Sequence, residues 1–392
     1  MNKRILNIEI QDFIDLNLNS DISSLLLKGT NFYDVKTSEI IAQIEAKKRA
    51  KSKLPLWFNT KNIYYPNKLN IEQTSSEVTA KYKSGLIKGH NIIDLTGGFG
   101  IDCFYFSKQF NIVKHCEINQ KLSHIVNHNF KQFNVSNIET ISTNGIAYLK
   151  DNSEYFDWIY IDPSRRHDSK GKVFFLNDCM PNVPAHLELL FKRSNNILIK
   201  ISPLLDISVG INELKHVKSI HVIAVNNEVK ELLWVLKKGY NDEISIKTIN
   251  IKPKTNHYFE FNFNDEKLQN ARYNKPLQYL YEPNAAILKA GGFNQVAHQL
   301  SVFKLHKHSH LYTSETLLTF PGRVLKIQNV IIYSKQALKK LHITKANITT
   351  RNFPETVAKL RKKTKIKDGG DLYLFFTTDA NETKIIIITE KV

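Results

Sequence analysis

The strongest signal in the sequence is the stretch Asp94-Leu95-Thr96-Gly97-Gly98-Phe99-Gly100-Ile101-Asp102. An apolar run, residues 91–95, leads into it, and a helix-forming stretch follows it. Glycines at such a turn let the backbone adopt positive φ and approach a ligand closely. Because the turn opens a helix, its N–H groups and the helix dipole favour a ligand with negative charge. The stretch therefore predicts a strand–turn–helix unit with a ligand site at the turn.

Further β-rich runs follow, separated by segments of helix length. They comprise residues 111–117, 138–142, 156–162, 195–201 and 221–227. Alternating strand and helix signals predict a parallel sheet with helices on both faces. A seventh run, residues 231–237, follows after so short a link that it should pair antiparallel with its predecessor. The predicted fold class is α/β, with a Rossmann-like, seven-stranded core.

The regions on either side of this core differ from it. Before residue 81 there is a single glycine and two helix-like stretches, 14–28 and 37–53, which indicate an all-α N-terminal region. Residues 59–85 are typical of a polar loop. After about residue 240 strands and helices mix, which indicates a C-terminal α+β region. We expect a helical region, a core domain, a small ferredoxin-like module and a basic α+β domain, at residues 1–80, 81–265, 272–318 and 319–392.

The residues of the turn distinguish between two cofactor classes. A dinucleotide-binding turn has the pattern G-x-G-x-x-G, and Cys103 stands where its third glycine would be. Asp94 ends the first strand, where a carboxylate would repel a pyrophosphate but suits the amino group of a methionine moiety. Both features argue against NAD and favour S-adenosylmethionine.

Polar residues also follow three later runs. Glu117 suits two ribose hydroxyls, Asn144 with Gly145 suits an adenine edge, and Asp162 begins the segment Asp162-Pro163-Ser164-Arg165-Arg166. In open α/β sheets, ligands bind at the carboxyl ends of the strands. We therefore expect these residues to form one site with the glycine-rich turn.

These motifs resemble those of class I S-adenosylmethionine-dependent methyltransferases. The stretch DLTGGFGID (94–102) is similar to the family's glycine-rich first motif, although Thr96 replaces a glycine. IYIDPSRR (159–166) resembles the fourth motif of enzymes that act on nucleic-acid bases, without its second proline and its aromatic residue. The order of the regions and EQTSSE (72–77) resemble bacterial methyltransferases with a C-terminal THUMP-like domain. The resemblance implies methylation of a base in structured RNA, either rRNA or tRNA.

The site residues expected from the motifs and the resemblance form three groups. The cofactor-binding residues are Asp94, Thr96, Gly97, Gly98, Gly100, Asp102, Glu117, Ile118, Asn144, Gly145 and Asp162. The residues at the methyl acceptor are Asp162, Pro163, Ser164 and Arg165. The substrate-binding residues are Arg165, Arg166, Arg361, Lys362 and Lys363.

The charge of the chain favours a polyanionic partner. The net charge is +18, and residues 323–367 hold thirteen Lys or Arg but one acid, Glu355. Such a segment favours contact with phosphates, and the resemblance to methyltransferases with a THUMP-like domain implies RNA as the partner. Three alternating histidines, His306, His308 and His310, lack an accompanying Cys or Asp, and we expect no metal site.

Cysteine usage and hydropathy bear on the compartment. The three cysteines, Cys103, Cys116 and Cys179, show no C-x-x-C spacing and are expected to be buried structural residues in a reducing compartment. No apolar run approaches the length of a membrane span, and no apolar segment follows the basic N-terminus. We therefore expect a cytoplasmic protein with no membrane partner. The oligomeric state stays open.

Two other functions remain open on the sequence alone. A methyltransferase could act on a protein or a small molecule, in which case the basic C-terminal region would not be needed for activity. A non-catalytic nucleic-acid-binding module on the same scaffold would leave the glycine-rich turn without a cofactor. An NAD-dependent oxidoreductase ranks behind both because of Cys103.

Overall fold

The computed structural model describes residues 1–165 and 175–392 and divides the chain into two compact units. The first unit consists of Met1–Val217 and Leu233–Asn241. The second consists of Lys218–Leu232 and Asp242–Val392. Among the described residues, no helix combines the length and the apolar composition needed to cross a membrane.

Helices precede the first strand of the chain. They are α1 (Ile8–Leu16), α2 (Ile22–Lys28), α3 (Thr37–Lys53), α4 (Pro55–Asn59), α5 (Lys68–Gln73) and α6 (Glu77–Leu86). The single helix predicted over residues 14–28 is wrong, because Asp21 accepts a hydrogen bond from the N–H of Ser24 and starts a second helix. The loop predicted over residues 59–85 is also wrong, since α5 and α6 lie within it with Asn67 and Ser76 as their N-caps.

Strands and helices alternate from residue 89 to residue 237, and residues 218–232 of this series belong to the second unit. They are β1 (Gly89–Asp94), α7 (Ile101–Phe106), β2 (Phe110–Cys116), α8 (Gln120–Gln132), β3 (Ile138–Ile141), α9 (Gly145–Asp151), β4 (Trp158–Ile161), β5 (Ser164–Arg165), β6 (Cys179–Met180), α10 (Val183–Arg193), β7 (Asn196–Ile201), α11 (Ile207–Glu213), β8 (Val217–Val225) and β9 (Glu228–Lys237). The strand order here is β3-β2-β1-β4-β7-β9. The first five of these strands are parallel, so their carboxyl ends share one edge.

The last two strands of this series, β8 and β9, form a hairpin. Asn226 and Asn227 join them, with φ of 50° and 66°. Two successive residues with positive φ are what a tight hairpin turn requires, and asparagine tolerates that conformation. The hairpin makes β9 antiparallel to β8, as the sequence predicts.

The second unit also contains two further strands next to β8 and a separate sheet. Its elements are β10 (Ser245–Ile251), β11 (His257–Asn262), α12 (Asp265–Leu268), β12 (Tyr279–Pro283), α13 (Ala285–Ala290), α14 (Phe293–Gln299), β13 (Phe303–Lys304), β14 (Tyr312–Ser314), β15 (Gly322–Ile332), α15 (Lys335–Lys340), β16 (Asn347–Arg351), α16 (Val357–Thr364), β17 (Leu372–Thr378) and β18 (Lys384–Lys391). Its strand orders are β9-β8-β10-β11 and β13-β14-β12-β15-β18-β17-β16.

Strand β17 of the separate sheet is buried on both faces. Phe375 packs into one apolar cluster with Leu280 and Ile387, whereas its neighbours in sequence, Leu374 and Phe376, pack into another. Successive side chains of a strand point to opposite faces, so both faces of β17 lie in a core. The predicted α/β class with a Rossmann-like core is confirmed, and β10 and β11 extend the sheet beyond the seven expected strands.

Candidate active site

The glycine-rich turn after β1 contacts two of the later strand ends through hydrogen bonds. The backbone N–H of Gly98 donates to Glu117 Oε2 over 3.0 Å. The backbone N–H of Asp162 donates to Thr96 Oγ1 over 2.7 Å. The structure therefore brings the first motif together with the ends of β2 and β4.

The end of β3 reaches the same turn through backbone packing. A Cβ added at Gly145 would lie 2.5 Å from the carbonyl oxygen of Leu95, so only glycine fits there. Asn144 is exposed, and its Oδ1 accepts hydrogen bonds from the N–H groups of Ile146 (2.9 Å) and Ala147 (3.1 Å). Asn144 is therefore the N-cap of α9. From the sequence we expected only a contact of this residue with adenine.

The three glycines of the turn differ in what surrounds them. A Cβ at Gly97 would lie 2.3 Å from Nε2 of the buried His115, and a Cβ at Gly100 would lie 2.7 Å from Cζ of Phe130. Packing therefore requires both glycines. Gly98 has φ of +54°, and an added Cβ would meet nothing nearer than a backbone oxygen at 3.7 Å. Gly98 thus lies on the open face of the turn, where a ligand can approach the backbone.

Glu117 lies just after β2 and is partly buried. In addition to the bond from Gly98, its Oε1 accepts a hydrogen bond of 2.7 Å from the N–H of Asn119. Two backbone donors therefore fix the carboxylate at the edge of the sheet. The next residue, Ile118, has 72% of its surface exposed, which leaves an apolar side chain uncovered beside the carboxylate.

Asp94 is buried beneath the turn, with 2% of its surface exposed. Its Oδ1 accepts hydrogen bonds from the N–H (2.9 Å) and the hydroxyl (3.2 Å) of Thr96. Its Oδ2 accepts one from the thiol of Cys103 at 3.3 Å. The pKa of Asp94 is raised to about 7, mainly because the carboxyl is buried. The hydrogen bond from the N–H of Thr96 lowers the pKa, whereas the nearby carboxylates of Asp102 and Asp162 raise it.

Asp102 belongs to a buried polar network. Its Oδ2 accepts hydrogen bonds from Ser75 Oγ (2.8 Å) and the hydroxyl of Tyr160 (2.9 Å). Its Oδ1 pairs at 3.2 Å with Nζ of Lys83, a side chain with no exposed surface. Ser75 lies in the EQTSSE stretch, so this stretch joins α6 to the helix that follows the glycine-rich turn. Sequence reasoning singled out Asp102 but missed Ser75 and Lys83.

Asp162 forms an ion pair that sequence reasoning also missed. Its Oδ2 lies 2.5 Å from Nζ of Lys200, and the two side chains are 29% and 16% exposed. Strands β4 and β7 are parallel, with Ile161 paired to Ile199. Asp162 directly follows the end of β4, and Lys200 follows Ile199 within β7, so the backbone register places the two residues side by side. Lys200 is the penultimate residue of the largely apolar run NILIKI, and no motif of the sequence singles it out.

The residues after Asp162 lie in part outside the described chain. Pro163 is buried, and Ser164 is exposed. Ser164 and Arg165 form β5, which pairs antiparallel with β6. Arg166, a predicted substrate-binding residue, lies outside the described residues.

The three cysteines are free and buried. Burial raises the pKa of the Cys103 thiol well above its usual range and that of Cys116 to about 12. Both therefore stay protonated near neutral pH, which suits structural residues rather than nucleophiles.

Comparisons with known proteins identify the family. Two family models match the second unit, a ferredoxin-like domain over residues 279–321 and a THUMP domain-like one over residues 322–391. A solved structure from Porphyromonas gingivalis W83, described as a candidate methyltransferase, is 32% identical and covers 100% of this chain and 99% of that chain, with a TM-score of 0.91. This chain belongs to the same family, the class I methyltransferases with a C-terminal THUMP-like domain.

Other solved structures are far less similar. TrmK of M. capricolum in complex with S-adenosyl-homocysteine is 19% identical, covers 42% of this chain and 70% of that chain, and has a TM-score of 0.33. An rRNA methylase from Streptococcus thermophilus is 13% identical, covers 41% of this chain and 94% of that chain, and has a TM-score of 0.31. Likeness at this level supports no conclusion about this methyltransferase. A comparison with curated proteins gives no match.

The predicted RNA-binding residues of the THUMP-like domain differ in their surroundings. The guanidinium of Arg361 donates to the carbonyl of Ile366 (3.0 Å) and pairs with Asp368, so it stabilises the end of α16. Lys362 and Lys363 are exposed on the same helix, and Lys363 pairs with Glu355 at 2.6 Å. The two lysines are therefore accessible, whereas Arg361 is engaged within the domain.

The three alternating histidines do not form a common site in this methyltransferase. They lie in the connection between β13 and β14, not on a strand. His306 contacts Glu382 through Nε2 at 3.0 Å, whereas His310 stacks on Phe293 with 3.6 Å between ring centroids. Burial lowers the pKa of His310 to about 4. Within residues 1–165 and 175–392, no three or more His, Cys, Asp or Glu side chains are grouped to hold a metal.

A cavity opens where β16 and β17 end. Its volume is about 710 Å³, and its lining includes Lys307, His308 and Lys384 together with the hydroxyl-bearing Thr350 and Thr378. The carboxylate of Glu382 also lines this cavity, so its two lysines face one acidic side chain.

Proposed function

We propose that this methyltransferase uses S-adenosylmethionine to methylate a base in structured RNA, either rRNA or tRNA. One observation carries the proposal: the glycine-rich turn contacts the ends of β2, β3 and β4. These contacts run from Gly98 to Glu117, from Leu95 to Gly145, and from Thr96 to Asp162. A cofactor at this edge and a methyl acceptor at Asp162 would be neighbours.

The residues at this edge fit S-adenosylmethionine. The open face of Gly98 admits the cofactor against the backbone, and the fixed carboxylate of Glu117 is placed to accept hydrogen bonds from a ribose diol. The exposed side chain of Ile118 would pack on the adenine. Asp94 supplies negative charge for the cofactor's amino group, either directly or through the turn that it organises.

The residues of the chain mainly position the methyl acceptor next to the cofactor. When bound, the cofactor supplies an electrophilic methyl group. A carboxylate oxygen of Asp162 accepts a hydrogen bond from the N–H of the acceptor base and can take its proton. Arg165 follows on the adjoining β5 ribbon, where a guanidinium can hold a substrate phosphate.

In this proposal the THUMP-like domain binds the RNA. Exposed lysines on α16, among them Lys359 and Lys362, lie within this domain. Lys384 of the same domain lines the cavity described above together with Lys307 of the ferredoxin-like domain. Lysines that neutralise phosphates release condensed counterions, so binding through them weakens steeply with salt.

Transfer of a labelled methyl group tests the activity. The full-length protein is incubated with S-adenosylmethionine and a cell extract, and label is counted in the RNA, protein and small-molecule fractions. We expect label in RNA, lost with Asp162→Asn. Label in protein or small molecules would favour a methyltransferase that acts on those substrates. RNA binding without label in any fraction would favour a non-catalytic nucleic-acid-binding module.

Charge reversal on α16 tests the docking surface. The double variant Lys359→Glu/Lys362→Glu should bind RNA more weakly and with a smaller dependence on salt. The matched control is Lys48→Glu/Lys51→Glu, two exposed lysines with the same three-residue spacing on α3. Equal losses in both variants would contradict docking through α16.

A further inference from the structure

We propose that Lys200 is a positioning residue for methyl transfer, acting by holding the carboxylate of Asp162 in one orientation toward the acceptor base. This inference rests on the proposed function, since Asp162 is the residue placed at the acceptor. Nothing in the motifs assigns Lys200 a function.

Two contacts fix Asp162 at both its backbone and its side chain. Its N–H donates to Thr96 Oγ1 at 2.7 Å, and its Oδ2 accepts from Lys200 Nζ at 2.5 Å. A carboxylate has two oxygens, so the contact at Oδ2 orients Oδ1 as the one to accept the N–H of the base. With 29% of its surface exposed, the side chain is within reach of a substrate.

The location of Lys200 argues against a mere surface ion pair. It follows Ile197, Leu198 and Ile199 in β7, which have no exposed surface, and its own side chain is 16% exposed. Placing an ammonium there is unfavourable unless a carboxylate accompanies it. The β4–β7 register fixes that carboxylate as Asp162, so the contact follows from the backbone and not from a chance rotamer.

Orientation of a catalytic group affects turnover more than binding. A displacement of about 1 Å in a reacting group can reduce a rate about 100-fold. Without Lys200, the carboxylate of Asp162 would rotate among several orientations, although the fold and the cofactor edge would persist. The loss should therefore appear in kcat and not in KM.

The test uses full-length Lys200→Met and Lys200→Arg with Lys114→Met as a matched control. Lys114 pairs with Glu154 at 2.6 Å, with 13% and 31% of the side chains exposed, so the control removes an ion pair of similar burial on β2. We expect Lys200→Met to lower kcat roughly 10- to 100-fold, with KM for RNA and affinity for S-adenosylhomocysteine nearly unchanged. Lys200→Arg should restore much of the loss, and Lys114→Met should retain wild-type turnover.

A second measurement does not depend on activity. In protein with ¹³C-labelled aspartate carboxyls, the Asp162 resonance is identified by its absence from Asp162→Asn. It should move in Lys200→Met and stay in place in Lys114→Met. An unmoved resonance, or equal losses of kcat in Lys200→Met and Lys114→Met, would overturn the inference. A wild-type protein that methylates no RNA would instead overturn the proposed function, and the carboxyl resonance would still decide whether Lys200 holds Asp162.

Discussion

The hydroxyl of Thr96 accepts a hydrogen bond of 2.7 Å from the backbone N–H of Asp162. The same hydroxyl lies 3.2 Å from Asp94 Oδ1 and donates to it. One side chain therefore links the end of β1 to the end of β4. Thr96 stands where the related first motif has a glycine, and this link gives the departure a structural reason.

Replacing Thr96 by valine should weaken both the fold and the cofactor site. The partly buried N–H of Asp162 would lose its acceptor, which costs about 1–2 kcal/mol of unfolding free energy. Urea unfolding and calorimetric titration with S-adenosylhomocysteine measure the two effects. Thr96→Ser keeps the hydroxyl and should behave like the wild type, so identical results for the two variants would contradict the link.

The raised pKa of Asp94 predicts a pH dependence of cofactor affinity. An ionised Asp94 suits the positively charged amino group, so affinity for S-adenosylhomocysteine should increase as pH rises through about 7. Below that pH, binding should release a proton, which titrations in two buffers of different ionisation heat detect. Asp94→Asn should bind weakly at every pH, without proton release.

The raised pKa of Asp94 also predicts that its contribution to the free energy of unfolding falls as pH rises, whereas cofactor affinity increases. The folded chain binds this proton more tightly than the unfolded chain, whose carboxyl has a pKa near 3.8. The contribution of Asp94 to stability is therefore greatest below that value and is lost as pH rises toward about 7. Unfolding free energies of the wild type and Asp94→Asn should converge at low pH and differ most above neutrality. A constant difference would contradict the assignment.

Truncation of Glu117 should weaken cofactor binding. Glu117→Ala removes a charged acceptor for the ribose hydroxyls, which costs about 1–3 kcal/mol of binding free energy. Glu117→Gln keeps one acceptor oxygen, so its affinity for the cofactor should lie between those of the wild type and Glu117→Ala. Glu139→Ala, at a side chain with 60% exposure on the neighbouring strand, serves as the control. Unchanged affinity in Glu117→Ala would exclude its function at the ribose.

Loss of Lys83 should destabilise the protein severely. Lys83→Met leaves the carboxylate of Asp102 buried without its cation, at a cost of about 3–5 kcal/mol. Adding Asp102→Asn removes the uncompensated charge and should recover part of the loss in urea unfolding. The control Lys192→Met breaks an exposed pair with Glu188 and should leave the midpoint unchanged. A urea midpoint of Lys83→Met equal to that of the wild type would contradict a structural function of the network around Asp102.

Much of the fold could be predicted from the sequence because its core strands have a simple pattern. Runs such as NIIDL and NILIKI contain consecutive apolar residues, at positions 92–93 and 197–199, as expected for strands covered on both faces. The N-terminal region was harder to predict, since α5 and α6 are short, largely polar on the surface and defined mainly by their caps, Asn67 and Ser76.

The candidate site could be predicted only where it follows strand ends. Asp94, Glu117 and Asp162 were found because each follows a strong strand signal in chain order. Lys83 and Lys200 could not be found in this way, since their partners depend on helix packing and on the register between two strands. Lysine is abundant in this chain, so composition alone could not single them out.

Calorimetric titration of the full-length protein with S-adenosylhomocysteine, with NAD as the control ligand, tests the central claim most directly. The account predicts one site per chain with micromolar affinity for S-adenosylhomocysteine and no binding of NAD. Absence of binding by S-adenosylhomocysteine, or binding of NAD at the same site, would contradict it.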